Sequence, residues 1–195
     1  MSEEQTPYQV APAGPSTPAT PRFRLIKRLF GFPPDVGLRF CLQDQFFKKI
    51  LRLNPTVPWP VHFTSTIGNP ERIKCGRSVY PGDSPGVYIN AKNGVEIGDF
   101  TNIGPNVGLI SANHDPIDNQ RHVPAPPIRI GRFCWLGMGA IVLPGVELGD
   151  FTIIGAGAVV TKSFPDGYCV LAGNPAVVIR QLDEAACRHF AASRS

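Results

Sequence analysis

In "IGRFCWLGMGAIVLPGVELGDFTIIGAGAVVTKSFP", residues 130–165, an aliphatic residue recurs at every sixth position. These anchors are Ile130, Leu136, Val142, Leu148, Ile154 and Val160. A period of six is too short for a helical repeat and is not simple strand alternation; it is typical of a parallel β-helix. Each hexapeptide then supplies one short strand to one face of a prism, with its anchor inside and small residues turning the corner.

The repeat extends back to residue 67 with less regularity. The strong anchors of this first block are Ile67, Ile73, Val79, Ile97, Ile103 and Leu109, and the weak ones are Pro85 and Ala91. Three hexapeptides, about 18 residues, complete one coil. Successive coils then lie about 4.8 Å apart, the ordinary spacing of paired strands. An unbroken count therefore predicts that anchors one coil apart share a face.

The repeat stops between Leu109 and Ile130, which are 21 residues apart, three more than a coil requires. The charged, proline-rich segment 115–127, "DPIDNQRHVPAPP", predicts a loop extruded from the prism wall, where functional sites tend to form. His114 precedes this loop at an outward-facing corner position, and histidine suits general-base catalysis near neutral pH. We therefore predict an active site at the break. The other histidines are interpreted as structural: His62, His122 and His189.

The rest of the chain divides by composition. Residues 1–21 are rich in Pro, Ser, Thr and Ala, which predicts a disordered tail. Residues 22–66 are predicted to form a basic lead-in and one amphipathic helix behind a possible Asp35 cap. The predicted buried stripe of this helix is Leu38, Leu42, Phe46 and Ile50. The β-helix is assigned to residues 67–182, and residues 183–195 to a C-terminal tail with a short helix.

Composition limits the possible partners. The chain has 195 residues, a net charge of +4 and no long basic run, which favours anionic small molecules over nucleic acid. Its five cysteines show no C-x-x-C spacing, so we expect neither disulfides nor a metal. The N-terminus lacks an apolar signal region, and the longest apolar stretch is shorter than a membrane span needs. We expect a cytoplasmic protein without a transmembrane segment.

Three segments resemble the hexapeptide-repeat acyltransferases, nearest the sugar O-acetyltransferases of the maltose and galactoside acetyltransferase type. They are "VEIGDFTNIGPNVGLISANHD", the block from "PIRIG" to "TKSFP", and "LAGNPAVVIR", in that order, and the likeness spans about residues 60–182. The resemblance implies an all-β dominated left-handed parallel β-helix; the left hand comes from the resemblance alone. It also implies transfer of an acetyl group from acetyl-CoA, as cosubstrate, to a hydroxyl of a carbohydrate such as a cell-surface polysaccharide precursor.

The resemblance assigns site residues. His114 matches the general base, Asn90 matches an acceptor-side asparagine, and Asp115 would either orient the imidazole or touch the acceptor. Trp135 matches a tryptophan beside the cofactor arm. Backbone groups near Met138 and Ala156 match the pantetheine contacts. The residues near the nucleotide phosphates would be Thr161, Lys162 and Arg180.

The sequence departs from the family at two places. Asn113 and Asp115 flank the histidine where the family has a small residue and a proline. Val177 stands where a second arginine is frequent. The first departure bears on acceptor choice and the second on cofactor affinity.

The count along the repeat also predicts an assembly. Asn90 and His114 are 24 residues apart, one coil plus one face, which places them on neighbouring corners of one prism. They would then meet at one acceptor only between subunits. The family forms trimers with each cofactor between adjacent prisms, so we expect a homotrimer.

Two alternatives remain, and a third is disfavoured. The acceptor could be a drug or an amino sugar, or the chain could be a non-catalytic solenoid scaffold. The zinc carbonic anhydrase type on this fold needs three converging histidines, and only His114 lies at a hexad corner.

Overall fold

The protein is described from a computed structural model, which covers residues 27–29 and 31–194. The predicted disordered tail, residues 1–21, and residues 22–26 of the basic lead-in lie outside the described residues. The described residues fall into two compact units, which divide between Leu38 and Arg39. In the first unit, Lys27 is buried and its ammonium donates a hydrogen bond to the Pro34 carbonyl at 3.0 Å. The second unit contains the β-structure.

Short strands alternate with tight turns along the second unit. The strands are β1 Thr66–Gly68, β2 Ile73–Cys75, β3 Tyr88–Asn90, β4 Val95–Ile97, β5 Asn102–Ile103, β6 Gly108–Ile110, β7 Ile128–Ile130, β8 Trp135–Leu136, β9 Ile141–Val142, β10 Glu147–Leu148, β11 Thr152–Ile154, β12 Val159–Val160, β13 Cys169–Ala172 and β14 Val177–Gln181. The helices are α1 Leu38–Lys49 and α2 Glu184–Ala192, with a 3₁₀ turn at Pro70–Arg72. No helix of the described residues is long and apolar enough to cross a membrane.

These strands form three sheets that the chain visits in rotation, which makes a parallel β-helix. Sheet 1 has the order β1-β3-β6-β9-β12, sheet 2 the order β2-β4-β7-β10, and sheet 3 the order β5-β8-β11-β13-β14. All strand pairs are parallel except β13 with β14, which is antiparallel. We call the corner between sheets 1 and 2 edge 1–2, and name edges 2–3 and 3–1 likewise.

The anchors of the second repeat block form the interior of the prism, as predicted. Leu136 pairs with Ile154 and Ile154 with Leu171 in sheet 3, and all three side chains are buried. Val142 pairs with Val160 in sheet 1 and is likewise buried. Stacked aliphatic side chains therefore make one apolar column, which is the main source of stability in a fold of this kind.

The predicted register is wrong in the first block. Ile67 pairs with Ile89, 22 residues later, and Ile89 pairs with Leu109, 20 residues later. Pro85 is exposed, and Ala91, although buried, follows a strand instead of anchoring one. The segment 80–87, "YPGDSPGV", contains the additional residues, and its two Pro-Gly pairs form turns there.

The extruded segment is also larger than the count predicted. Leu109 pairs with Val142 across 33 residues, whereas Val142 pairs with Val160 across 18, a difference of 15 residues. The segment between β6 and β7 lies almost entirely outside the prism and contains no regular strand. The prediction of three extra residues failed because Leu109 and Ile130 lie on adjacent sheets, not a full coil apart.

Helix α1 has the opposite orientation to the one predicted. It begins at Leu38 and ends at Lys49, so it is shorter than the segment from Asp35 to Leu53. The predicted inner residues Leu42, Phe46 and Ile50 are exposed, by 56%, 52% and 66%.

Polar contacts explain this orientation of α1. The buried Asp44 carboxylate accepts the Val61 N–H at 2.9 Å and pairs with the Lys48 ammonium at 2.9 Å. Lys48 also donates to the Trp59 carbonyl. These bonds hold the polar side of α1 against the segment that leads to β1, and a buried carboxylate left without them would be costly.

A column of aromatic rings runs along edge 2–3. Phe100, Phe133, Phe151 and Tyr168 stack with ring centroids 5.2, 4.9 and 5.7 Å apart. All four residues have positive φ, from 47° to 58°, which is costly for bulky residues. Phe190 of α2 packs edge-on against Phe133 and Phe151. The stacking offsets the backbone strain, because offset aromatic pairs contribute about 0.5–1.5 kcal/mol each.

Candidate active site

His114 follows β6 at edge 1–2, where the extruded loop leaves the prism, and its side chain is exposed. The imidazole Nδ1 lies 2.5 Å from the Asn119 carbonyl oxygen. A carbonyl oxygen can only accept, so Nδ1 carries the hydrogen of this bond. In the neutral ring, Nε2 then holds the lone pair, which is the state a general base needs.

The extruded loop folds back on itself at this histidine. His114 and His122 form an antiparallel bridge, and the Val123 N–H donates to the Asn113 carbonyl at 2.9 Å. The two imidazole rings have centroids 4.3 Å apart and planes tilted by 40°. His122 was interpreted as structural from the sequence, but it lies against the candidate base.

Asp115 organises the turn that follows. Its carboxylate accepts the N–H groups of Ile117 at 2.8 Å and Asp118 at 3.0 Å, and these bonds, with Asp118 first, hold its pKa below the usual range. The imidazole Nδ1 of His114 is bonded instead by the Asn119 carbonyl. The orienting role considered for Asp115 therefore belongs to Asn119, and acceptor contact by Asp115 stays a prediction.

A lysine from the preceding coil reaches this loop. Lys92 Nζ lies 2.8 Å from His122 Nδ1. Partial desolvation, together with the charge of Lys92 and the neighbouring His114, holds the pKa of His122 below its usual value. Sequence reasoning missed Lys92, since nothing in the repeat indicated that the loop would return over edge 1–2.

Asn90 shares an edge with His114. It ends β3 and pairs with Ile110, four residues before His114. Its Oδ1 accepts the Lys92 N–H at 3.1 Å. The prediction that Asn90 and His114 lie on neighbouring corners is wrong, because the register shifts of the first block move Asn90 onto edge 1–2.

Thr161 and Lys162 also lie on edge 1–2. They directly follow β12, which is two strands along sheet 1 from β6, and both are exposed. Lys162 Nζ lies 5.6 Å from the centre of the Phe164 ring. The structure therefore aligns these two predicted cofactor residues with the candidate base along one edge.

The other predicted cofactor residues lie elsewhere on the same chain. Trp135, Ile153, Val170 and Arg180 pair in sequence across sheet 3, and Trp135 and Arg180 are exposed.

Met138 and Ala156 each follow a glycine at edge 3–1, and both are exposed. A Cβ at Gly137 would lie only 2.8 Å from the Ala156 N, so glycine permits the two coils to approach at this edge. Within one chain, the nine predicted site residues thus form two groups on different sides of the prism.

A separate groove crosses the outer face of sheet 2. Lys74, Glu96, Arg129 and Glu147 pair in sequence there and alternate in charge. Glu96 contacts Lys74 at 2.8 Å and Arg129 at 3.3 Å, and the Lys74 hydrogen bond is the main cause of its lowered pKa. This groove does not include His114, and its paired charges indicate a structural ladder. The described residues include no group of three or more His, Cys, Asp or Glu side chains placed to hold a metal ion.

Comparison with known sequences identifies the repeat. Residues 127–162 match the family described as bacterial transferase hexapeptide (six repeats). Nodulation protein L of Rhizobium meliloti (strain 1021) is 47% identical over 54 residues, which cover 26% of this chain and 30% of that protein. Nodulation protein L of Rhizobium leguminosarum bv. viciae is 48% identical over 68 residues, which cover 30% and 36%. The match thus spans about a third of the length of these curated relatives.

Solved structures share the fold over more of the chain. A maltose O-acetyltransferase from Clostridium difficile 630 is 26% identical, with a TM-score of 0.52 over 76% of this chain and 90% of that one. An N-acyltransferase from Bacillus cereus, in complex with dTDP and 3-hydroxybutyryl-CoA, is 19% identical, with a TM-score of 0.53 over 68% and 86%. A hexapeptide-repeat acetyltransferase from Vibrio cholerae O1 biovar eltor, complexed with acetyl coenzyme A, is 24% identical, with a TM-score of 0.52 over 62% and 69%.

The prism and these similarities define a hexapeptide-repeat protein with the left-handed parallel β-helix fold. More particularly, it is the block at residues 127–162, from β7 to β12, that matches the bacterial transferase hexapeptide family. The predicted resemblance to the hexapeptide-repeat acyltransferases is confirmed.

Proposed function

We propose that this protein is an acetyl-CoA-dependent O-acetyltransferase that modifies a hydroxyl of a carbohydrate. The observation that carries the proposal is the bond from His114 Nδ1 to the Asn119 carbonyl, which presents Nε2 as a base at the root of the extruded loop. The similarity to a maltose O-acetyltransferase supports a carbohydrate acceptor. The five free thiols fit a reducing cytoplasm, where we place the reaction.

His114 would act on both sides of one acyl transfer. Its Nε2 takes the proton of the acceptor hydroxyl while that oxygen bonds to the thioester carbonyl carbon. The tetrahedral intermediate collapses, the carbon–sulfur bond breaks, and the imidazolium returns the proton to the thiolate of CoA. The Asn119 carbonyl stabilises the transient imidazolium through Nδ1, and Asn90 binds the acceptor from the same edge. A backbone N–H from a neighbouring coil would supply the oxyanion contact.

The remaining site residues would bind acetyl-CoA. Lys162, Thr161 and Arg180 are assigned to the phosphates, to which cations and hydroxyls donate strong hydrogen bonds. Trp135 is assigned to the pantetheine arm, whose amides pair with backbone groups near Met138 and Ala156.

A homotrimer would unite the two groups of site residues. Edge 1–2 of one chain carries His114 and Lys162, while sheet 3 carries Trp135 and Arg180. We propose that edge 1–2 of each subunit faces sheet 3 of its neighbour, which gives three equivalent clefts by symmetry. Asn90 and His114 share edge 1–2, so the trimer is proposed from the separation of the two groups and not from a separation of Asn90 from His114.

The proposal is tested by measuring the release of free CoA thiol from acetyl-CoA over a panel of sugars, nucleotide sugars and amino sugars. His114→Ala should lower kcat by about 100-fold or more, while calorimetry shows CoA binding unchanged. His189→Ala, on α2, is the matched control and should leave both unchanged. A rate for His114→Ala above about a tenth of the wild-type rate contradicts the assignment. Absence of CoA binding favours a scaffold, and an alkali-stable amide product favours an amine acceptor.

Shared sites are tested by mixing two variants, each of which is expected to have low activity, after mild dissociation. Trp135→Ala and His114→Ala lie on different sides of one prism, so mixed trimers regain some clefts with both residues intact. We expect partial recovery of activity. A mixture that stays inactive, or a monomeric mass by light scattering, contradicts the arrangement.

A further inference from the structure

We propose that His122 and Lys92 are positioning residues that hold the His114 imidazole in the base tautomer. This inference rests on the proposed function, in which His114 is the general base. Neither residue is expected to touch the acetyl group or CoA; both act through His114.

The His114 imidazole is exposed, so little of the prism restrains it. His114 lies at the root of a loop outside the prism, where an imidazole has few neighbours to fix its plane. Its Nδ1 bond to Asn119 comes from the same loop. The His122 ring, 4.3 Å away across the antiparallel bridge, packs against the His114 ring and limits its rotation.

The contact with Lys92 fixes the protonation state of His122. An ammonium group has no acceptor capacity, so the 2.8 Å contact with Lys92 requires an unprotonated Nδ1 on His122. His122 is therefore neutral, with its hydrogen on Nε2. The lowered pKa of His122 agrees with this state. A neutral His122 ring does not repel the positive charge that forms on His114 during transfer, whereas a second imidazolium would repel it.

Lys92 also connects His122 to the predicted acceptor side of the site. The Lys92 N–H donates to Asn90 Oδ1 at 3.1 Å, while its side chain reaches His122. One residue thus links the predicted acceptor-binding asparagine with the neighbour of the base. This link crosses from the coil of β3 to the extruded loop.

The stem of the extruded loop is also held by hydrogen bonds that involve neither the His122 nor the Lys92 side chain. The Asn93 side chain donates to the Ser111 carbonyl at 2.8 Å and to the Val123 carbonyl at 3.2 Å. Removing the His122 or Lys92 side chain leaves these bonds in place. We therefore expect such variants to fold with the loop attached.

The experiment measures imidazole tautomers in the free protein. Long-range ¹H–¹⁵N correlation spectra show which ring nitrogen carries hydrogen, and they need no acceptor. In the wild type we expect Nδ1–H for His114 and Nε2–H for His122. In His122→Ala the His114 signals should shift towards a tautomer average, whereas His122→Phe, which retains a ring, should keep them near the wild-type positions. Lys92→Met should average the His122 signals.

Kinetics with the acceptor found in the panel provide the second readout. His122→Ala should lower kcat by about tenfold or more, because small misplacements of a reacting group are costly, with the KM for acetyl-CoA changed less than about twofold. His122→Phe should recover most of that loss. Ile117→Ala, in the same loop and 97% exposed, is the control and should change neither readout.

Two results overturn the inference. Unchanged His114 nitrogen signals in His122→Ala would show a merely structural role, even if the melting temperature or kcat falls. A wild-type kcat despite averaged signals would show that fixing the tautomer is not needed. If the signals behave as expected but no acyl transfer occurs with any acceptor, the positioning stands and the proposed function fails.

Discussion

Leu136→Ala should remove a large share of the stability of the prism. Leu136 is fully buried in sheet 3 and pairs with Ile103 on one side and Ile154 on the other. Truncating such a leucine removes its transfer free energy and leaves a cavity, at a cost of about 3–5 kcal/mol. A domain of this size is stable by about 5–15 kcal/mol, so about a fifth of the total or more would be lost.

The assay is equilibrium unfolding in urea followed by far-UV circular dichroism, with Leu42→Ala as the matched control. Leu42 is 56% exposed, so its truncation should change the free energy of unfolding by less than about 0.5 kcal/mol. The hydrophobic spacing in the sequence predicted the opposite, since it placed Leu42 inside. A loss below about 1 kcal/mol for Leu136→Ala, or equal losses for both variants, would contradict the assignment of Leu136 to the apolar column.

Three further predictions concern charge, packing and the cofactor. Hydrogen bonds from Arg77 hold the pKa of Asp99 below its usual range. This contact therefore stabilises the fold above about pH 4, and the stabilisation is lost as the pH falls through the lowered pKa. Asp99→Asn should remove this part of the pH dependence of the melting temperature. Gly131→Ala would place a Cβ 2.6 Å from the backbone of the next coil and should cost about 1–3 kcal/mol in urea unfolding, whereas Gly37→Ala, with open space around it, should not. Lys162→Ala should raise the KM for acetyl-CoA but not for a truncated thioester that lacks the nucleotide, and equal effects on both donors would contradict the phosphate assignment.

The period of six predicted the fold because each aliphatic anchor of the second block is removed from water only inside the prism. It failed at Pro85, an exposed residue in a turn, where hydrophobicity carries no information about the register. It failed on α1 because a buried Asp44, held by Val61 N–H and Lys48, outweighs an exposed apolar stripe. Such tertiary hydrogen bonds leave no periodic signal in the sequence.

The site was predictable in part for related reasons. His114 was recognisable because it stands at the break of a regular pattern. The contribution of His122 depends on a hairpin in the loop, and that of Lys92 depends on the register shift at Pro85. Neither follows from spacing along the repeat, since both contacts join segments that the pattern treats as independent.

The reversed strand at the end of sheet 3 bears on polymerisation. A stack of parallel coils ends in an open strand edge that could pair with the first coil of another molecule and grow into a fibre. Here β14 runs antiparallel on β13, and the ring of Phe190 covers the aromatic column beside it. A second molecule whose strands would pair in parallel therefore meets an antiparallel strand, β14, at this end of sheet 3. A chain shortened before Val177 would present β13 itself and should associate end to end at concentrations where the full chain does not.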